Sequence, residues 1–375
     1  MRTLLLVGGG LTHALYLANA RRLLPGDVRV VLISPERFVP YSSMLPGLIA
    51  GHYRFRDCHI DLGHLCRTTD TELTFGRIEN LDPEKRQIRL DSGETLAFDL
   101  VSLNTGLQPG DPMPGLETHG MTIRPISRFL PQWQETLERL RRRERTAPAH
   151  LGVIGGNVDG VEVAFAIRER LNRDEHLKAP VTVHLIHADG KLLPEFPLAA
   201  QLRAAQLLQA HEIREHPLFQ INRIDTNRIL TQRHQHLPMD EVVSCISGKP
   251  GAWVSASGLA LNDRGLIQVN PHLQSVNYPW VFAAGALASV TDSLGNGCAA
   301  TLALRQAPVL AANLARSFAK EPMRSFNPQA RVLSLITTSN QEGLARYGNW
   351  VWGGKWVERW RRRRDQKVMR SFPRA

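Results

Sequence analysis

A glycine turn near the amino terminus limits the folds open to this chain more than any other feature. A short apolar segment, residues 3–7, runs directly into a turn with Gly8 and Gly10, and a helical stretch and a second apolar segment, residues 28–33, follow. This order suits a dinucleotide, because backbone N–H groups at a helix N-terminus bind a pyrophosphate and glycine has no Cβ to obstruct it. The sequence therefore predicts an α/β fold with a parallel sheet and a nucleotide site at this turn.

Two positions near this turn depart from the usual nucleotide-binding pattern. His13 takes the place of the third glycine, so either the helix packs less closely on the strand or the imidazole faces the phosphates. The carboxylate that normally binds a ribose at the end of the second strand is replaced by Ser34, and Glu36 follows two residues later. Either the hydroxyl of Ser34 or the displaced carboxylate of Glu36 must then hold the ribose.

A second unit of the same kind begins near residue 151. Its glycine motif contains the candidate ligand-binding residues Gly155, Gly156, Asn157 and Gly160. A helix and a strand at residues 181–186 follow, and Asp189 comes late for a ribose-binding acid. Asn157 places a side chain where the pyrophosphate should approach. The sequence thus predicts either a weak nicotinamide-nucleotide site, with NADH and NADPH both open, or a unit that kept its fold and lost its ligand.

The segment between the two units has the pattern of short β-strands. Residues 77–91 predict two strands around an Asp-Pro turn, and residues 98–103 predict a third strand that leads into Thr105 and Gly106. Two nucleotide units with β-rich sequence between them indicate a flavoprotein that binds FAD first and a nicotinamide second.

From residue 1 to about residue 315 the chain resembles the FAD-dependent pyridine nucleotide-disulfide oxidoreductase superfamily. More narrowly, it looks like the branch related to type II NADH dehydrogenases, which is also found fused to selenide, water dikinase. The motifs that carry the resemblance occur in the right order, and they are Gly8 with Gly10, residues 40–53, residues 58–62, residues 102–109, residues 155–162, residues 281–285 and residues 304–310.

This resemblance implies two interleaved, doubly wound, Rossmann-like domains that bind FAD and NAD(P)H. The implied boundaries are 1–113 for the first part of the FAD-binding domain, 114–250 for the NAD(P)-binding-like domain, 251–320 for the second part of the FAD-binding domain, and 321–375 for a C-terminal extension. The implied activity is hydride transfer from NAD(P)H to FAD and electron delivery to a quinone or another acceptor. No stretch has the roughly 18 apolar residues that a membrane-spanning helix needs, so we expect a cytoplasmic protein, peripheral to the inner face of the membrane.

The resemblance also implies roles for individual residues. It places at the flavin Ser43, Thr105, Gly106 and Gly285. The residue after that late glycine is an Asp in the superfamily, where it hydrogen-bonds the ribityl chain of the flavin, and here it is Ala286. Glu162 matches a carboxylate near the nicotinamide and the flavin and is the candidate catalytic residue, although an acid in the first helical turn also suits the helix dipole.

The altered positions leave a second interpretation open. The carboxylate missing at Ala286 would make a charge-assisted hydrogen bond worth about 1.5–3 kcal/mol. His13, Ser34 and Asn157 also differ from the usual pattern. The alternative is a divergent, cofactor-poor relative that keeps the two-domain shell as a binding or regulatory protein.

The cysteines are scattered along the sequence at Cys58, Cys66, Cys245 and Cys298. No two of them form a C-x-x-C motif, and neither cysteines nor histidines have metal-ligand spacing. The lack of a disulfide framework indicates a reducing compartment. A flavin enzyme without a redox disulfide would pass electrons directly from the flavin.

The net charge of +11 comes mostly from the C-terminal tail. Residues 346–375 hold ten Lys or Arg against two acidic residues, a local balance of +8. On a continuous helix Trp352, Trp356 and Trp360 would form one stripe. That stripe either packs on its own domain, docks on an anionic membrane surface, or faces an acidic partner such as nucleic acid, of which we expect nucleic acid least.

Overall fold

The structure is a computed structural model that describes residues 1–110, 113–232, 235–290, 299–328, 332–338 and 342–373. Two five-stranded parallel sheets form its frame, and a small antiparallel sheet with a helix completes it at the carboxyl end. This is the α/β arrangement of two doubly wound units that the glycine motifs predict.

The amino-terminal part alternates strands and helices and ends in an antiparallel meander and one further strand. Its strands are β1 (Arg2–Val7), β2 (Val28–Ser34), β3 (Phe38–Pro40), β4 (His59–Asp61), β5 (Glu72–Phe75), β6 (Ile78–Asp82), β7 (Gln87–Leu90), β8 (Thr95–Ala97) and β9 (Leu100–Leu103). Its helices are α1 (Leu11–Ala20), α2 (Leu45–Ile49), α3 (Phe55–Cys58) and α4 (Leu62–Thr68), and a 3₁₀ turn spans Ser42–Met44. The predicted Asp-Pro turn joins β6 to β7.

The middle part repeats the strand, turn and helix order. Its strands are β10 (Met121–Thr122), β11 (Ala149–Ile154), β12 (Val181–Ile186), β13 (Ile213–His216), β14 (Ile221–Asp225), β15 (Arg228–Thr231), β16 (His236–Pro238) and β17 (Glu241–Ser244). Its helices are α5 (Leu116–His119), α6 (Ile126–Arg142), α7 (Val158–Asn172) and α8 (Leu198–Ala210).

The last part returns to the first sheet and then forms the C-terminal extension. Its strands are β18 (Ile267–Val269), β19 (Val281–Ala283), β20 (Ala288–Val290), β21 (Leu333–Thr338), β22 (Glu342–Tyr347) and β23 (Trp350–Gly354). Its helices are α9 (Ala252–Ala256), α10 (Ala299–Ala319) and α11 (Lys355–Met369), and a 3₁₀ turn spans Gly285–Leu287.

Each parallel sheet has a strand that leads into a glycine turn, β1 or β11, at its centre. The first has the order β19-β9-β1-β2-β5 and the second the order β10-β17-β11-β12-β13. β1 reads as a continuous apolar run because both of its faces are covered, and Leu4 and Leu6 are fully buried. β19 pairs with β9 although some 180 residues of chain separate them. The first unit is therefore built from both ends of the chain, as interleaving requires.

The C-terminal extension packs against both units. Its sheet has the order β21-β22-β23, and α11 follows β23 directly. Val368 and Met369 of α11 belong to the core of the first unit, whereas Ile336 and Leu344 belong to the core of the second. The extension thus joins the two units through buried apolar contacts.

One expectation about the tail is wrong. Trp352 lies in β23, and α11 begins three residues later, so Trp352, Trp356 and Trp360 do not share one helical stripe. The strand forms because residues 350–354 complete an antiparallel sheet with β22, and Trp352 pairs with Ala345 there. Gly353 and Gly354 interrupt helical propensity at the same place.

Candidate active site

The first glycine turn leaves the start of α1 open to an anion. α1 begins after Gly10 with no side-chain cap and no acidic residue in its first turn, so its first N–H groups are available to a phosphate. Gly8 has a φ of +98°, and a Cβ there would lie 2.4 Å from the carbonyl oxygen of Asn104, just after β9. Glycine is required because the turn closes tightly against the neighbouring strand.

His13 supports this turn from behind. Its Nδ1 donates to the carbonyl oxygen of Gly8 at 2.8 Å, and its Nε2 lies 2.8 Å from the hydroxyl of Ser102 on β9. Burial lowers the pKa of His13 to about 4, so the ring is neutral and the hydroxyl donates to Nε2. The imidazole therefore does not face the phosphates, which corrects its place among the direct cofactor ligands.

The end of β2 offers a carboxylate for the ribose. The hydroxyl of Ser34 is buried and donates to the carbonyl oxygen of Glu36 at 2.8 Å, so it shapes the turn and is already occupied. The carboxylate of Glu36 accepts a hydrogen bond from Ser127 of α6 and lines a cavity of about 780 Å³. Of the two alternatives for the ribose, the geometry favours Glu36.

Several of the expected flavin positions follow β9 and β19, which are neighbours in the sheet. Thr105 and Gly106 come just after β9, and Gly285 and Ala286 come just after β19. The side-chain amide of Asn104 donates to the carbonyl oxygen of Ala284 at 2.7 Å and so joins the two strand ends. Ala286 is half-buried and offers only a methyl group.

Unpaired polar atoms surround the late glycine. Thr12 Oγ1, Asn104 Oδ1 and Gln306 Nε2 are buried and have no hydrogen-bond partner among the described residues. The other amide atom of Gln306 accepts the N–H of Gly285 at 2.7 Å. Folded proteins leave few such atoms unpaired. The residues present therefore fit FAD, with the uncapped α1 for its pyrophosphate, Glu36 for its ribose, and a polar setting near its ribityl chain.

In the second glycine turn, the side chain of Asn157 covers the start of the helix that follows. Asn157 caps α7 by accepting the N–H of Gly160 at 2.9 Å, and its amide donates to the carbonyl oxygen of Cys245 at 3.1 Å. A pyrophosphate that approached α7 would meet this cap first. A Cβ at Gly160 would lie 1.9 Å from the carbonyl oxygen of Gly155, so the close contact of helix and strand is kept.

A cavity of about 680 Å³ lies beside this second turn. It is lined by Gly155, Gly156 and Asn157 and, further out, by Asp189. The imidazole of His187, which follows β12, is bound to the carboxylate of Glu215 at 3.0 Å. The space for a nucleotide is present, and Asn157 narrows the approach to the helix.

Glu162 lies deep between the second unit and the extension. One oxygen of its carboxylate accepts from the guanidinium of Arg361 on α11 and from the N–H of Thr337 on β21, the latter at 2.7 Å. Burial raises the pKa of Glu162 to about 7, and Arg361 and the N–H of Thr337 act in the opposite direction. The carboxyl group is thus poised near neutrality at a junction of several elements.

The same guanidinium reaches the first unit. Arg361 donates to the carbonyl oxygen of Ser43 at 2.6 Å. Asp365, one turn later, accepts from the hydroxyls of Tyr41 at 2.9 Å and Ser43 at 3.1 Å. The side chain of Ser43 is therefore engaged by α11. Sequence analysis missed Arg361 and Asp365, because both lie in a run of arginines that reads as a solvated, basic surface.

The family model for pyridine nucleotide-disulphide oxidoreductase matches residues 4–311. The chain belongs to that family. The members are flavin-dependent NAD(P)H oxidoreductases, and the resemblance to type II NADH dehydrogenases is confirmed.

Curated relatives and solved structures of this family agree with the assignment. Ferroptosis suppressor protein 1 of Taeniopygia guttata is 23% identical over 290 residues, which are 74% of this chain and 72% of that protein. The solved sulfide:quinone oxidoreductase of Aquifex aeolicus is 16% identical with a TM-score of 0.81, over 99% of this chain and 92% of that one. NDH2 of Plasmodium falciparum in complex with NADH is 13% identical with a TM-score of 0.80, over 98% and 97%.

The described cysteines of this family member form no disulfide with one another. Cys58, Cys66 and Cys245 are buried and free, and Cys298 lies outside the described residues. Burial raises the pKa of Cys58 and of Cys66 to about 12. Because only the thiolate attacks a disulfide, these buried thiols are poor redox groups.

The extension of this family member presents an aromatic outer face. Its exposed aromatic side chains include Trp350, Trp352, Trp356 and Trp360. Trp356 stacks on Trp360 with ring centroids 6.3 Å apart, and Lys355, Arg359 and Arg363 are exposed on the same helix. Trp352, Trp356 and Trp360 are 40%, 50% and 44% exposed, so packing into their own domain, one of the three alternatives, covers them only in part. No helix among the described residues is both long and apolar enough to cross a bilayer.

Proposed function

We propose that the protein is an FAD-dependent oxidoreductase that passes electrons from NAD(P)H through the flavin to a quinone or another acceptor, without a redox disulfide. The observation that carries the proposal is the uncapped N-terminus of α1 at Gly8 and Gly10, together with the carboxylate of Glu36, which lines a large cavity and is bound there only to the hydroxyl of Ser127 among the described residues. Membership of a family of flavin-dependent oxidoreductases supports it.

Each part of the chain has a distinct task in this proposal. The first N–H groups of α1 bind the pyrophosphate of FAD, and Glu36 binds its ribose. α7 and the cavity beside Asn157 receive the nicotinamide nucleotide. FAD, when bound, supplies the hydride chemistry. Glu162 is the candidate catalytic residue, whose carboxyl group orients the nicotinamide or donates a proton beside the flavin.

The names of two relatives and the outer face of the extension support a proposal for the acceptor and for the place of action. One curated relative carries the name sulfide-quinone reductase, at 26% identity over 47% of this chain and 41% of that protein. A quinone dissolves in the membrane, and the outer face of the extension combines exposed tryptophans with arginines, which suits an anionic lipid surface. We therefore propose a quinone as acceptor and peripheral attachment to the inner face of the membrane through Trp350, Trp352, Trp356 and Trp360.

A second candidate function rests on two observations. Asn157 caps the helix that should bind the nicotinamide nucleotide, and Ala286 lacks the carboxylate that holds the ribityl chain in the superfamily. A chain with both changes could serve as a cofactor-poor binding or regulatory protein.

The visible absorption spectrum separates the two candidates. An oxidoreductase should be purified with the two visible absorption bands of a flavin or should acquire them when FAD is added and the excess removed. A protein that stays colourless after this treatment would remove the enzyme proposal and leave the binding protein.

A further inference from the structure

A buried polar cluster joins three separate parts of the chain. Arg361 of α11 lies at its centre and is only 5% exposed. Its guanidinium contacts the carboxylate of Glu162 on α7 and the carbonyl oxygen of Ser43 in the first unit. Its Nε also lies 3.7 Å from the carboxylate of Asp365. One side chain of the extension thus donates hydrogen bonds to both nucleotide-binding units.

Other carboxylates lie near Glu162, so a positive charge is needed to stabilise its ionised form. α11 also brings Asp365 and Glu358 close to this site, and the hydroxyl of Thr337 donates to Glu358. Asp159 lies on α7 itself but pairs with Arg124 at 2.5 Å. Arg361 is therefore the cation that meets Glu162 directly. Without it, Glu162 would be buried near several like charges and would hold its proton more tightly.

Neighbouring arginines of the same helix do not have this position. Arg359 and Arg363 are exposed, and Arg362 pairs with Glu358 at 3.2 Å. Only Arg361 among them is buried between the two units. A basic helix that served solely as a charged surface would not bury one arginine against two carboxylates, because desolvation of the charges is costly.

We propose that Arg361 is a positioning residue that fixes the carboxylate of Glu162 and sets its protonation at the junction of the two nucleotide-binding units. The C-terminal extension, and neither nucleotide-binding unit alone, then determines the charge at the candidate redox site. This inference rests on the proposed function where it assigns Glu162 to that site.

Titration of the Glu162 carboxyl tests the inference. The infrared band of the protonated carboxyl is followed against pH in the full chain. For the wild type and for each variant, the spectrum of the same protein carrying Glu162→Gln in addition is subtracted, so that only the band of Glu162 remains. The wild type should titrate near neutrality, as expected from a pKa of about 7. Arg361→Met should move the midpoint upward by at least one pH unit, and Arg361→Lys should keep it close to the wild type. The exposed Arg363→Met is the matched control and should not move it.

A milder variant covers the case in which Arg361→Met does not fold. Asp365→Asn keeps acceptor and donor atoms for Tyr41 and Ser43 but removes one negative charge beside Arg361. The midpoint of Glu162 should then move downward. A midpoint that is the same in the wild type and in Asp365→Asn, and also in Arg361→Met where that variant folds, would overturn the inference.

The rate of flavin reduction separates this inference from the proposed function. If FAD binds and NADH reduces it, the pH profile of the reduction rate should shift in the same direction as the infrared midpoint in each variant. A profile that does not move while the infrared midpoint does would remove Glu162 from the redox site and overturn the inference. If the protein binds no flavin, the proposed function fails, and the infrared titration still decides whether Arg361 sets the protonation of Glu162.

Discussion

The guanidinium of Arg361 donates to the carboxylate of Glu162, 199 residues earlier in the chain. This contact lies at the boundary of α11, α7 and the 3₁₀ turn that contains Ser43. It makes the basic tail a structural part of the two-unit body.

Removal of the buried guanidinium should destabilise the protein strongly. Arg361→Met leaves Glu162 buried without its cation and leaves Asp365 with Arg364 alone, 4.0 Å away. Breaking such a buried pair typically costs about 3–5 kcal/mol. Arg363→Met, on the exposed side of the same helix, should change the free energy of unfolding by no more than about 0.5 kcal/mol. Urea unfolding at neutral pH measures both. Equal effects of the two variants would show that Arg361 contributes no more to the free energy of unfolding than an exposed arginine does.

Restoring the acid after the late glycine should tighten FAD binding. In Ala286→Asp the new carboxylate can accept from the ribityl hydroxyls, and a charge-assisted bond of about 1.5–3 kcal/mol corresponds to roughly one to two orders of magnitude in Kd. Ala286→Asn, which has the same shape without the charge, should gain less. Quenching of flavin fluorescence gives the Kd. An unchanged Kd in Ala286→Asp would mean that this residue does not face the ribityl chain.

Opening the second glycine turn should improve nicotinamide binding. Asn157→Gly removes the side chain that caps α7 and lies in the path of the pyrophosphate, while a glycine cap costs the helix only a few tenths of a kcal/mol. Asn157→Asp is the matched control, because it keeps the cap but adds a negative charge, and it should weaken binding. Titration of NADH fluorescence with each variant provides the affinities. Tighter binding by the wild type than by Asn157→Gly would contradict the role given to the cap.

The outer face of the extension should bind anionic vesicles. Each basic residue near such a surface contributes about 1 kcal/mol, and salt screens this attraction. Trp356→Ser with Trp360→Ser should reduce binding to phosphatidylserine vesicles, while Leu218→Ser, at a 72% exposed residue of the body, should not. Vesicle co-sedimentation at low and high salt is the measurement. Failure of the wild type to bind at low salt would rule out a membrane role for these tryptophans.

A row of histidines should make the second unit sensitive to acid. The ring of His184 lies 3.0 Å from that of His150 and 2.9 Å from that of His216. Burial lowers the pKa of His184 to about 3, with His216, His150 and Arg214 acting in the same direction. At pH values below about 6.5, the ordinary pKa of histidine, His184 therefore binds a proton in the unfolded chain but stays neutral in the folded chain.

The stability of the wild type should consequently fall as the pH decreases from 6.5 towards 3, by up to about 1.4 kcal/mol per pH unit for this group. His184→Gln should reduce that slope, and His176→Gln, at an exposed position, is the control. Thermal unfolding of the three proteins at a series of pH values measures how their stability depends on pH. A slope that is equal in the wild type and in His184→Gln would show that His184 titrates normally in the folded protein.

Local sequence patterns predicted the parts of the site that depend on neighbouring residues. The turn at Gly8 and Gly10, the second motif at Gly155 and Gly160, and the strands and helices beside them follow from glycine chemistry and apolar runs. The obstruction at Asn157 was visible as well, because asparagine places a side chain where the pyrophosphate should approach.

Contacts between distant segments could not be predicted in this way. Arg361 and Asp365 read as members of a solvated basic run, and only the fold shows that α11 buries one side of that run. His13 and Ser34 kept two interpretations each, since sequence does not show which partner a buried polar group finds. Trp352 was placed on a helix because its spacing suits one, and pairing with β22 determined the strand instead.

Anaerobic titration of the purified, FAD-loaded protein with NADH and with NADPH tests the central claim most directly. The account predicts that at least one of the two nucleotides bleaches the visible flavin bands, that the nucleotide is consumed in proportion to the flavin, and that a soluble quinone restores the bands. A loaded protein whose flavin bands stay unchanged with both nucleotides would contradict the account, because no hydride would then pass from the second unit to the first.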